Sequence, residues 1–249
     1  MNNTPQSNIV SIIIPCFNEK DTIKKIINLI HKNNKFKKEI ILVDDFSSDG
    51  TREIVKKFTK SFVDKVILHK FNKGKGACIK TASKYLNGEI ILIQDADLEY
   101  SPSDYDKLLN PIRKNNFKVV YGSRVLNTKR YNSKNFTSKY RIFFNHILTI
   151  LSNIINKQNL TDAHTCYKVF KKEVFKKINL KENRFGFCPE ITTKVSLLNV
   201  KIHEVPIRYN GRSYKNGKKI SILDGLRAIY CLFFYRFFEL GFLKKNDKQ

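Results

Sequence analysis

Acid is scarce in this chain. Its 249 residues carry 22 Asp and Glu against 47 Lys and Arg, a formal net charge of +25. Such a field steers anionic partners toward a surface whatever its origin. The cations are mostly lysine and are spread along the chain. That pattern reads as solvated helix faces, and no nucleic-acid partner is expected from it. Cysteine is scarce as well: Cys16, Cys78, Cys166, Cys188 and Cys231 are odd in number and form no C-x-x-C pair. Neither a disulfide framework nor a zinc site is indicated, and a reducing cytosol fits best. No run approaches about eighteen apolar residues, so no spanning helix is expected. Residues 1–8 lack the basic and apolar regions of a signal peptide and read as a disordered tail. There is no internal repeat and no low-complexity linker.

What is present is a regular alternation. Short apolar, β-rich runs occur at 9–15, 39–44, 64–69, 89–95 and 117–122, with helical patterns near 19–33, 49–60, 74–86 and 103–115. Continuous apolar strands separated by helices predict an α/β fold, a doubly wound and mainly parallel sheet covered on both faces. After residue 124 the pattern loosens into a helix over 138–155, a short strand turning into a helix over 166–178, a helix over 187–199 and an extended stretch over 200–209. An aromatic-rich helix over 222–243 forms a C-terminal extension, with a basic tail, to one main domain spanning 9–220.

Ligands of such sheets bind beyond the carboxyl ends of the strands, and the polar residues of this chain collect there. Strand one runs into "PCFNE", strand two into "DDFSSDGT", strand four into "DADLEY" and strand five into "GSR". Each has a local reading too. Asn18 with Asp21 resembles a helix N-cap and its partner, and Asp49 has the right place to cap the next helix. In "DADLEY", Asp95 and Asp97 stand at i and i+2 and point to one side, with Glu99 following on the turn. Clustered hard oxygen donors suit Mg²⁺ or Mn²⁺, with open positions left for phosphates. A solvated acidic turn is the alternative. Gly74 and Gly76 of "NKGKG" do not match a phosphate-binding P-loop and read as a tight strand-to-helix turn.

Taken in order, "SIIIPCFNE", "ILVDDFSSDGT", "NKGKGACIKTA", "ILIQDADLEY" and "VVYGSR" resemble the successive motifs of GT-A fold, family 2 glycosyltransferases. The later "TDAHTCYKVF", "NRFGFCPEIT" and "VPIRYNGRSYKNGKKI" are similar to the polyprenyl-phosphate branch, the dolichol-phosphate mannosyltransferase group. The resemblance covers nearly all of 9–236. It implies a metal-dependent hexosyltransferase that moves one sugar, with inversion, from a GDP- or UDP-sugar to a dolichyl or undecaprenyl phosphate. A family 2 enzyme acting on a hydroxyl of a glycan or cell-surface polymer is the alternative.

By that resemblance Pro15, Phe17, Glu19, Val43 and Asp45 line the nucleoside pocket, with Ala96 beside the donor. Asp95, Asp97 and Glu99 hold the metal. Arg124, Arg212 and one of Lys218 or Lys219 meet phosphate, a task that suits the guanidinium fork and the mobile ammonium. Asp97, Arg124 and Asp162 form the implied catalytic set. A hydroxyl acceptor would need a general base, for which Asp162 and Glu190 are candidates, whereas a lipid phosphate is already ionised. His164 and His203 read as ordinary polar residues. The apolar and aromatic faces of 138–155 and 222–243, flanked by Lys and Arg, suit a membrane interface, a dimer contact or core. The expected place of work is cytoplasmic, peripheral on a membrane, alone or with a separate membrane-anchored partner.

Overall fold

The computed structural model describes residues 9–126, 136–212 and 222–238. The tail 1–8 and the loop positions Lys218 and Lys219 lie outside them. Strand β1 (Val10–Cys16) pairs in parallel with β2 (Lys38–Asp44) on one side and with β4 (Ile90–Ile93) on the other. β3 (Lys65–Leu68) adds outside β2. Side chains alternate across each strand, so one sheet serves two cores. Val10, Ile12 and Ile14 pack with Ile26 and Ile30 of helix α1 (Ile23–Lys32) and with Leu108 and Ile112 of α4 (Tyr105–Lys114). Ile13, Ile41 and Val43 pack with Cys78 and Ile79 of α3 (Lys75–Ala82) and with Ile191 and Val195 of α7 (Phe187–Leu197). Each fully buried Ile contributes about 1.5–3 kcal/mol before conformational entropy is set against it. Unbroken apolar strands are what such double coverage requires.

The seven strands run in the order β3-β2-β1-β4-β6-β5-β7. β5 (Val119–Ser123) and β7 (Ile202–Pro206) are parallel to each other, and β6 (Lys168–Lys171) lies antiparallel between β4 and β5. The sheet is thus α/β, doubly wound and mainly parallel, as the sequence predicts. Chain order reverses at β1 and β4, which sets the ligand crevice of such a sheet beyond their carboxyl ends.

Two local expectations change. Helix α1 begins at Ile23 with Thr22 as its N-cap residue, not at Asn18. Asn18 instead adopts φ 54° and bonds the loop after β2, a tertiary contact overriding the local capping option. α2 (Thr51–Lys56) is shorter than its pattern, and its N-cap residue is Gly50 at φ 99°, not Asp49; the Asp49 carboxylate, one residue earlier, accepts the Thr51 N–H at 3.0 Å.

The second half supplies α5 (Phe136–Asn156), the single turn α6 (Lys172–Phe175), and α8 (Ile222–Phe233), which runs into a π-helical turn at Phe234–Phe238. α8 packs on α5 and α7, and its Arg227 and Tyr235 both bond Glu182, at 2.7 and 3.0 Å. The helical extension is therefore docked on the main body. Both α5 and α8 leave apolar side chains in solvent, among them Phe143, Ile150 and Ile154 on one and Leu223, Leu226 and Phe233 on the other. Among the described residues, no helix is long and apolar enough to cross a membrane.

Candidate active site

The loops after β1 and β2 are sewn together. The amides of Asn18, Glu19 and Lys20 donate to Ser47 Oγ, Thr51 Oγ1 and Asp49 Oδ2 at 2.9, 2.8 and 3.1 Å, and Asn18 Oδ1 accepts the Ser48 amide at 2.9 Å. Pro15 and Val43 lie side by side in the β1–β2 register, with the Val43 side chain wholly in the core. Phe17 and Glu19 follow on the first loop and Asp45 on the second.

Asp45 is buried and heavily committed. Its carboxylate accepts from His69 Nδ1 at 2.7 Å and from the amides of Lys73 and Gly74 at 2.9 and 2.6 Å. A carboxylate only accepts here, so the proton on Nδ1 points at Asp45, while Nε2 lies 2.9 Å from the Thr81 hydroxyl. The ligand-type atoms of Asp45, His69 and Cys78 lie within 4.8 Å of one another. Backbone donors hold the carboxylate, and burial with Asp45 and Asp44 nearby pushes the Cys78 thiol far above its usual range. The trio ties β3 and α3 to the end of β2.

The two glycines of "NKGKG" have a steric reason. A Cβ on Gly74, at φ 96°, would stand 2.5 Å from the Asn183 carbonyl oxygen, and one on Gly76 would stand 2.4 Å from that of Glu182. Only glycine lets the first turn of α3 press against 182–184. That packing turns Lys75 inward. Its ammonium meets the Asp95 carboxylate and lies 3.1 Å from Cys166 Sγ. Burial opposes the charge, but Asp95 wins and raises the lysine well above its usual value, so the group is a fixed cation. The sequence reading passes over Lys75; its signal was a lysine set between two glycines at the ligand edge.

Beyond β4, Asp97 is buried, and its Oδ1 accepts the Glu99 amide at 3.0 Å. Arg212, arriving after β7, places NH2 at 2.6 Å from Asp97 Oδ2 and 2.9 Å from Glu19 Oε1, with NH1 at 3.1 Å from Glu19 Oε2. Its amide donates to Glu99 Oε1 at 2.6 Å, and Tyr209 donates its hydroxyl to Glu99 Oε2 at 3.0 Å. Burial, then Asp95, raises the Asp97 carboxyl to about 7 despite the pull of Arg212. Four carboxylates, Glu19, Asp95, Asp97 and Glu99, thus face two cations, Lys75 and Arg212. The formal remainder of two negative charges, all on hard oxygen, fits one Mg²⁺ or Mn²⁺. Ala96 is buried between the two aspartates.

Arg124 and Asp162, which the sequence reading places separately, form one unit. Arg124 Nε and NH2 reach Asp162 Oδ2 and Oδ1 at 2.6 and 2.7 Å, and the Arg124 amide adds a third bond at 3.1 Å. The guanidinium also lies 5.2 Å from the centre of the Tyr209 ring. Burial alone would raise the Asp162 carboxyl, but Arg124 overcomes it and holds the group below the usual carboxylate range. Glu204 fixes the same loop, accepting from the Thr161 and Asp162 amides at 2.6 and 2.9 Å. Glu190 is a brace: it is fully buried and accepts from the Lys181 and Glu182 amides and from Lys194 Nζ. Burial and then Lys168 push the His164 imidazole down to about 4, so it is neutral, and His203 stacks on Phe117 at 4.2 Å.

The edge of a doubly wound sheet bearing a D-x-D cluster with Lys75 and Arg212 beside it is an arrangement suited to a nucleotide-dependent transferase. The family is given by comparison: the profile of glycosyl transferase family 2 matches residues 11–179, and the chain belongs to that family. A UDP-N-acetylglucosamine–dolichyl-phosphate N-acetylglucosaminyltransferase of Methanococcus voltae is 29% identical over 244 residues, covering 90% of this chain and 94% of the relative. A dolichyl-phosphate β-glucosyltransferase of Trichomonas vaginalis is 28% identical over 83% of this chain and 67% of its own length. A dolichol-phosphate mannosyltransferase of Pyrococcus furiosus is 29% identical over 90% of this chain and 63% of its own. The crystal structure of glucosyl-3-phosphoglycerate synthase from Mycobacterium tuberculosis, complexed with Mn²⁺, UDP and glucosyl-3-phosphoglycerate, superposes with a TM-score of 0.66 at 15% identity. It covers 92% of this chain and 80% of that one, which shows the shared GT-A fold.

Proposed function

We propose that this glycosyltransferase transfers one sugar, with inversion, from a UDP- or GDP-sugar to a polyprenyl phosphate, working peripherally at the cytoplasmic face of a membrane. The dolichyl-phosphate relatives support the acceptor class. The observation that carries it within this chain is the Arg124–Asp162 pair. An Asp held as an anion by a bidentate guanidinium is a poor proton acceptor, and a phosphate acceptor has no proton to surrender.

Asp95, Asp97 and Glu99 would hold a divalent cation, which when bound supplies positive charge to the leaving nucleoside diphosphate. Lys75 fixes the orientation of Asp95. Arg212 can exchange its carboxylate partners for donor phosphates, since a guanidinium binds both in the same forked geometry. A phosphate oxygen of the acceptor attacks the anomeric carbon on the face opposite the diphosphate. The new C–O bond forms as the old one breaks, and the diphosphate leaves with the electron pair. Holding the two reactants in line supplies much of the rate. The exposed apolar faces of α5 and α8 support a lipid surface as the place where the acceptor is met.

The test is incubation of purified protein and Mn²⁺ or Mg²⁺ with GDP-mannose, UDP-glucose or UDP-N-acetylglucosamine, with and without polyprenyl phosphate, read by mass spectrometry. A glycosyl phospholipid from one donor is expected, reduced about a thousandfold or more in Asp97→Ala. Product only on a hydroxyl acceptor would move the enzyme to the glycan branch and overturn the reading.

A further inference from the structure

Phe46 is out of place by every local rule. It has φ 65°, a left-handed backbone that costs a bulky side chain and that glycine adopts freely. It is also a large apolar residue left 48% exposed at the carboxyl end of β2, directly after Asp45. Strain of this kind persists only where the surroundings over-determine it, and here they do. The residue is flanked by Asp45, held by three donors, and by Ser47, whose hydroxyl binds the Asn18 amide and whose own amide reaches Asp44 Oδ2 at 3.4 Å. Nor is the ring loose. The guanidinium of Arg52 lies 5.5 Å from its centre, and that guanidinium is itself anchored to Asp44 Oδ2 at 3.0 Å and to the His69 carbonyl at 2.9 Å. The loop thus holds an aromatic plate at a fixed angle, one side braced by a cation and much of the rest open to solvent, at the carboxyl edge of the sheet beside the β1 loop.

We propose that Phe46 is the surface on which the nucleobase of the sugar donor stacks, and that Arg52 is the positioning residue that braces it. The proposal rests on the reading of this edge as a nucleotide-sugar site. A flat, rigid, half-exposed ring is what a base recognises through its π-face, and stacking of this kind tolerates different bases. It gives the strained backbone a purpose, because a left-handed residue at this point turns its side chain away from the course that an extended continuation of β2 would give it. Two alternatives fit less well. A ring serving packing would be buried, and a turn needing only a left-handed residue would be better served by glycine.

Binding of UDP and of GDP, each with Mn²⁺, is measured by calorimetry for the wild type, Phe46→Gly, Phe46→Leu and Phe46→Tyr. A parallel arm uses ribose 5-diphosphate, which has the same phosphates and no base. The glycine and leucine variants are expected to bind the nucleotides about five- to a hundredfold more weakly. Phe46→Tyr should stay close to wild type, and all four proteins should bind ribose 5-diphosphate alike. Thermal melting supplies the second readout: Phe46→Gly should melt no lower than wild type, because the change relieves the left-handed backbone. Lost affinity with undiminished stability is a combination that a packing role does not give. Unchanged nucleotide affinity in both the glycine and leucine variants would overturn the stacking role while leaving the site reading intact. Equal losses for ribose 5-diphosphate would overturn it too, by showing a general disturbance of the loop. Failure of the wild type to bind either nucleotide would remove the site reading and the inference together.

Discussion

Two charge clusters at the sheet edge treat the same kinds of side chain in opposite ways. In one, carboxylates outnumber the cations that serve them: Lys75 and Arg212 are shared among Glu19, Asp95, Asp97 and Glu99. In the other, Arg124 and Asp162 satisfy each other one to one, with both oxygens engaged. The helices divide similarly. α1 hides Ile23, Ile26, Ile27 and Ile30, whereas α8 leaves Leu223 and Leu226 at 74% and 60% exposure. A site with negative charge to spare suits the cationic ligand proposed above, whereas a closed pair holds its loop still. Helices with apolar surface to spare suit the proposed lipid contact.

The largest effect should come from breaking the closed pair. Asp162→Asn strands a buried guanidinium, a change that costs about 3–5 kcal/mol, and its melting temperature should fall accordingly. Transfer to polyprenyl phosphate, corrected for the folded fraction, should stay within about tenfold of wild type, since the step needs no base. Loss of nearly all activity in folded protein would make Asp162 a base after all. The pH dependence has a definite sign. Asp162 has a depressed carboxyl, so its stabilising contribution is complete above the ordinary Asp range near 4 and is lost as pH falls through the lower folded value. Acid melts of wild type and Asp162→Asn should therefore converge as pH drops, and curves that stay parallel would refute the assignment.

Opening the shared side should reverse the balance. Lys75→Met keeps the stem's volume and removes the cation that orients Asp95. Affinity for Mn²⁺ and transfer rate should each fall about 10- to 100-fold, the usual cost of losing a partner that orients a metal ligand, with a smaller loss of stability than in Asp162→Asn. An unaltered Mn²⁺ titration would show that Lys75 is only a packing cation.

The sequence announces β1 to β5 because each carries a short apolar run, such as 12–14 or Ile90–Ile93, set off by turn residues, a pattern that a doubly covered sheet explains. The D-x-D cluster is legible because Asp95 and Asp97 follow the apolar run of β4 directly, although the strand ends at Ile93 and the loop, not the strand's period of two, sets where they point. Other features are set by tertiary contact. The four residues of β6, "KVFK", read the same whether the strand runs parallel or antiparallel, and its place between β4 and β5 is not written locally. Arg124 and Asp162 are 38 positions apart, so nothing near either names its partner. Lys75 is one lysine in a chain full of them until packing against 182–184 turns it inward. Asn18 offers a sound local cap, yet hydrogen bonds to the second loop win.

The smallest effect on the fold should come from the helices that remain exposed. Ile150→Ser with Leu226→Ser touches side chains already in solvent, so stability should change by no more than about 0.5 kcal/mol per site. Sedimentation with anionic vesicles should nevertheless drop severalfold, with nucleotide binding unchanged. Equal vesicle binding by variant and wild type would assign these faces to another partner.

The reversed strand has a consequence for anyone who would re-tailor this enzyme. Parallel strands donate to the edge whatever follows them, but β6 runs away from it and donates what comes before, the stretch from Thr161 to Cys166. A graft at this part of the edge must therefore be spliced upstream of the strand, at a length that keeps Val169 opposite Leu92 and Val120. One residue too many or too few would exchange the two faces of β6. Phe170, packed among the α3 and α7 side chains, would then trade layers with Val169, packed on the α4 side.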